Sequence, residues 1–128
     1  MVSLWLDDMR PAPDGWVWVK TVEEAKRHLE TGQVLRASLD HDLGACNTCM
    51  GGRTAEQWLD ESKFTQMPNC DHFGTGYTLV CWMEETGHWP MKMPLVHSAN
   101  PAGRARMQQA ILREWAARST QRKGKEQP

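Results

Sequence analysis

The chain has 128 residues, 40% of them hydrophobic and 24% charged, with a net charge of −1. That length suits one domain with a modest core, and the near-neutral balance argues against a partner such as duplex nucleic acid, whose binders carry a basic excess. Neither an apolar stretch of membrane-span length nor the basic-then-apolar layout of a signal peptide is present, so the sequence predicts a cytoplasmic protein with no membrane partner.

The first element is a strand, Ser3 to Leu6, which runs straight into Asp7-Asp8. Adjacent carboxylates at a strand end repel each other, and a divalent cation that prefers hard oxygen ligands, Mg²⁺ or Mn²⁺, removes that cost. The plainer alternative is a solvated turn before a proline-rich loop. Arg10 follows, placed to hold a phosphate or neutralise a carboxylate. Two prolines and a glycine keep Arg10 to Gly15 out of any helix. Trp16 to Lys20, β-branched and aromatic, reads as a second strand. Thr21 and Glu24 then make a capping-box signature. The helix they open aligns Val22, Ala25 and Leu29 on one face, with Gly32 as its C-cap. A third strand spans Leu35 to Leu43 and carries Asp40-His41-Asp42 near its end. A helix between two strands at this spacing implies a right-handed parallel crossover.

Residues 45–75 form a polar, cysteine-bearing insert. In a reducing compartment its cysteines are metal ligands or buried thiols rather than disulfides. Cys46 and Cys49 form a CxxC pair, and Cys70 and His72 follow at a spacing that suits tetrahedral structural Zn²⁺, as in a zinc knuckle. Cys81 is an alternative fourth ligand, although its helical surroundings predict a buried thiol. A short helix, Thr54 to Ser62, contributes Trp58 and Leu59 within the insert. Thr75-Gly76 opens a further helix that runs to Gly87, and Pro94 to His97 is the last strand. Asn100 as N-cap and Pro101 in the first turn start the final helix, with Met107, Ile111 and Trp115 on its buried face. Most of the seven tryptophans are expected in the core. The domain is expected to span 1–118, followed by a disordered tail, 119–128.

Three apolar runs thus end in polar groups: Asp7-Asp8, Asp40-His41-Asp42, and His97-Ser98-Ala99-Asn100. In open α/β sheets ligands bind just beyond the strand carboxyl ends, so the pattern predicts one site made of three of them. Asp7, Asp8, Asp40 and Asp42 would hold the Mg²⁺ or Mn²⁺. Ser98, Asn100 and Arg104, at the amino terminus of the last helix, would take phosphate together with Arg10. His41 and His97 are the groups there that exchange protons near neutral pH, and with Asp40 they are the catalytic candidates.

The stretches LWLDDMRP, SLDHDLG, TGYTLVCWM and VHSANPAGRARM, in this order, resemble the cyclic-phosphate-processing receiver domains, a divergent group of response-regulator (CheY-like) receivers. The resemblance implies an α/β, receiver-like (flavodoxin-like) doubly wound sandwich with about four parallel strands. It also implies an acidic, metal-binding pocket acting on a cyclic-phosphate-containing nucleotide. The chain departs from ordinary receivers in having a proline loop where they have a first helix. It also has no further strand with the receiver lysine after Ser98, which leaves Arg104 as the nearest substitute charge. These departures favour hydrolysis or binding over signalling. The function expected is metal-dependent hydrolysis of that nucleotide by a phosphoesterase. The alternatives are a non-catalytic module that sequesters the nucleotide and a phospho-accepting receiver.

Overall fold

A computed structural model describes residues 1–44, 70 and 72–126, with side chains through residue 120. The elements are β1 (Val2–Leu6), β2 (Val17–Val19), α1 (Val22–Glu30), β3 (Val34–Leu39), α2 (Gly76–Thr86), β4 (Leu95–Val96) and α3 (Pro101–Glu126). All four strands are parallel, in the order β2-β1-β3-β4. This is the α/β receiver-like arrangement expected from the sequence.

Strand order decides where the helices go. The step from β1 to β2 runs one way across the sheet, whereas β2 to β3 and β3 to β4 run the other way. Right-handed connections therefore place α1 and α2 on one face and the β1–β2 link on the opposite face. The helix face is the hydrophobic one: Leu4, Leu6, Val19, Ala37 and Leu39 from the strands form one buried cluster with residues of all three helices. Those are Val22, Ala25 and Leu29 of α1, Leu79, Val80 and Met83 of α2, and Met107, Ala110 and Ile111 of α3. Thr21 accepts the Glu24 amide at the start of α1, as its capping pattern predicts, and Gly32 follows with φ 72°. Thr75 and Thr78 close a reciprocal capping box on α2.

Among the described residues no helix covers the second face. The proline loop explains this, because the β1–β2 link contains no helix. Aromatic and basic side chains dress the face instead. Trp5 meets Trp16 edge to face at 6.1 Å, Arg36 lies 4.5 Å over Trp16, and the Trp5 indole donates to the Arg10 carbonyl.

Other expectations need correction. β3 stops at Leu39, not Leu43, because the chain turns at Asp40 to meet α2: the Gly76 amide donates to the His41 carbonyl at 2.9 Å. The described tryptophans surround the core rather than fill it, since indoles this large also keep a polar edge near water. Cys81 is exposed on α2, not a buried thiol, because the helix turns Leu79, Val80 and Met83 inward instead. Cys46, Cys49 and the Thr54 to Ser62 helix lie outside the described residues, whereas Cys70, His72 and the alternative ligand Cys81 fall within them. No described helix is long and apolar enough to cross a membrane.

Candidate metal centre

The site is set by register. Leu6 pairs with Val19 and with Leu39, and Leu39 pairs with Val96. The ladder continues one residue further: the Asp7 amide donates to Val19, the Asp40 amide to Leu6 and the His97 amide to Leu39. Lys20, Asp7, Asp40 and His97 therefore form one row across the carboxyl ends of β2, β1, β3 and β4. Successive strand residues alternate faces. The row lies on the side of Trp5 and Ser38, away from the helices.

Asp7 is almost fully buried, 1% exposed. One carboxylate oxygen, Oδ1, accepts the amides of Met9 and Arg10 at 2.9 and 2.8 Å, which fixes the turn after β1. The other, Oδ2, lies 3.0 Å from His97 Nε2. The opposite ring nitrogen of His97, Nδ1, lies 2.7 Å from the buried Ser38 hydroxyl, and the ring stacks on Trp5 at 3.9 Å and 4°. Ser38 is a support that sequence reasoning missed. Its hydroxyl can donate or accept, so the ring keeps its place in either tautomer.

Asp40, Asp7 and His97 each offer a ligand atom, all within 4.8 Å of one another. Burial, then the Asp7 charge, holds the Asp40 carboxyl above its ordinary range. Burial also lifts Asp8, with Asp7 and Asp42 adding repulsion. The His97 imidazolium is disfavoured by burial, against the pull of Asp7, which leaves a neutral ring able to present a lone pair. Excess negative charge beside a neutral imidazole fits a divalent cation. Two of the four carboxylates expected around a cation, Asp7 and Asp40, belong to this cluster, and His97 joins them. Nitrogen in the set suits Mn²⁺ or another transition ion better than Mg²⁺.

The other expected residues lie around this row. Asp42 holds His41 Nδ1 at 2.9 Å, and the His41 ring packs against Gly103 of α3 so closely that a Cβ there would meet it. Arg10 donates to the His97 carbonyl at 3.2 Å. Ser98 accepts the Asn100 amide, and Asn100 caps α3 through Gly103 while its amide faces Asp42 at 3.4 Å. Both thus serve the start of α3. Arg104 instead lines a separate cavity of about 430 Å³ with Met93, Leu95, Gln108 and Leu112. A second residue that sequence reasoning passed over is Lys20. It follows the Trp16-Val17-Trp18-Val19 run just as Asp7 follows β1.

The raised carboxyl of Asp8 has a measurable sign. A group whose pKa is higher folded than unfolded stabilises fully below its unfolded value, near 3.8, and that gain is lost as pH rises through the folded value. His97, lowered from 6.5, works oppositely, costing stability as pH falls below that value. Comparing Asp8→Asn with the unaltered chain in chelator isolates the first effect. The variant's advantage in thermal melts should grow from about pH 4 upward and then level off. Parallel melting curves across that range would refute the assignment.

A family model described as the cyclic-phosphate processing Receiver domain matches residues 2–113. No curated protein and no solved structure matches the chain.

Proposed function

Because the chain belongs to the cyclic-phosphate processing receiver domains, we propose that it binds a divalent cation at Asp7, Asp40 and His97 and hydrolyses a cyclic-phosphate nucleotide there. The observation that carries this reading is the convergence of those three ligand atoms within 4.8 Å at the strand ends. A cation bound there would polarise the phosphoryl group and make water a competent nucleophile near neutral pH.

The chain's own groups divide the remaining work. Ser38 and Trp5 fix the His97 ring. Asp42 holds Nδ1 of His41, leaving Nε2 to accept the proton of the attacking water and return it to the ring oxygen released as its P–O bond breaks. Arg10 offsets charge on the phosphoryl oxygens. Asn100 keeps Asp42, and through it His41, against the start of α3. Structural Zn²⁺ on Cys46, Cys49, Cys70 and His72 is a separate part of the proposal and rests on ligand spacing.

The test is a chromatographic assay against cyclic mono-, di- and oligonucleotides and terminal cyclic phosphates. It is run with Mn²⁺ or Mg²⁺, with and without chelator, and followed by heat release of bound material. A ring-opened product that disappears with chelator is the expected result. An unchanged nucleotide that leaves the protein only on heating would replace hydrolysis with sequestration.

A further inference from the structure

We propose that Lys20 is the anion-binding end of the strand-end row, the group that receives the phosphate of the ligand beside the cation. The inference rests on the site reading above and adds a residue to it. A phosphate approaching this row meets Asp7, Asp8 and Asp40, so it needs positive charge beyond the cation itself. Two basic side chains border the row among the described residues. Arg10 already donates to the His97 carbonyl. Lys20 is exposed and, among the described residues, makes no ion pair or side-chain hydrogen bond.

It nevertheless has a preferred position. The ammonium lies 4.5 Å over the Trp18 ring, and the Trp18 indole donates to the Asp7 carbonyl at 2.7 Å. Trp18 thus ties the lysine to the turn that carries Asp7 and Asp8. A cation–π contact holds the amine loosely and leaves its three N–H donors available. Lys20 marks one end of the row and His97 the other, with the carboxylates between them. A phosphate bridging the cation and Lys20 would place its negative oxygens away from Asp40 and toward the β2 edge.

The experiment titrates inorganic phosphate by calorimetry into the full chain preloaded with Mn²⁺, after a separate Mn²⁺ titration. Lys20→Met should weaken phosphate binding roughly tenfold or more while leaving Mn²⁺ affinity unchanged or higher. Lys20→Arg should stay within about threefold of the unaltered chain, since it keeps the charge. Phosphate binding unaffected by Lys20→Met would overturn the inference and leave the metal reading intact. So would uptake of Mn²⁺ without any phosphate, or a loss of Mn²⁺ affinity in the Lys20→Met variant, which would make the lysine a structural support. An unaltered chain that takes up no Mn²⁺ would overturn the site reading, and this inference with it.

Discussion

Asp40→Asn should abolish Mn²⁺-dependent turnover and at the same time make the metal-free protein more stable. The two effects come from one cause. Asp40 is held above its usual carboxylate range, first by burial and then by Asp7, so its ionised form costs the metal-free fold free energy near neutral pH. Asparagine removes that charge and keeps an Oδ1 to accept the His41 amide, now at 2.9 Å. It is, however, a much poorer ligand for a divalent cation. Turnover should fall by roughly a hundred- to a thousand-fold or below detection, and the Mn²⁺-induced rise in melting temperature should vanish. In chelator the variant should melt above the unaltered chain. A variant that melts lower in chelator, or still gains stability from Mn²⁺, would remove Asp40 from the centre.

This opposition of stability and activity follows from where the row sits. The helix face of the sheet is closed by Leu4, Leu6, Ala37 and Leu39 packed under three helices. What this packing leaves open, among the described residues, is the strand ends and the face that the proline loop leaves without a helix. On that face Trp5, Trp16 and Arg36 pack against one another, the two indoles half-buried and the arginine exposed. Asp8 and Asp40 are thus dehydrated enough to feel the charge of Asp7, yet only part-buried, whereas Asp7 itself is closed off.

Much of this was legible in the amino-acid order. Leu4 and Leu6 alternate with Ser3 and Trp5, so the first strand and its polar exit are visible without a structure. Thr21 with Glu24, and Asn100 with Pro101, mark helix starts by local hydrogen-bond chemistry, and local chemistry is what sequence reports best. Lys20 and Ser38 were not legible, because their meaning depends on strand order. Only when β2 lies beside β1, and β1 beside β3, do Lys20, Asp7 and Asp40 fall into one row. The placement of Arg104 was hidden for a related reason. Spacing puts it one turn beyond Asn100, but the rotation of α3 about its axis, set by Met107, Ala110 and Ile111 seating in the core, turns it toward the β4 edge.

Gly76→Ala should damage fold and site together, unlike an ordinary core truncation. Gly76 begins α2, its amide donates to the His41 carbonyl, and a Cβ there would run into the Asp40 carbonyl and the Met107 methyl. Its backbone conformation is helical, so the reason for glycine is space and not dihedral freedom. Backbone cannot step aside as a side-chain tip can. The overpacking cost should reach or exceed about 1–3 kcal/mol in urea unfolding. Relief of the clash pushes α2 away from the Asp40-His41 turn, which displaces the proposed ligand and its neighbour, so Mn²⁺ affinity of the folded protein should fall too. Met83→Ala provides the contrast. It removes a fully buried side chain two turns further along α2 and should cost about 2–5 kcal/mol, with native-state Mn²⁺ affinity unchanged. If Gly76→Ala lost stability but bound Mn²⁺ normally, the approach of α2 to Asp40 would be a packing detail. Loss of both in the Gly76→Ala variant alone would make that approach the means by which the helix layer holds the metal centre in register.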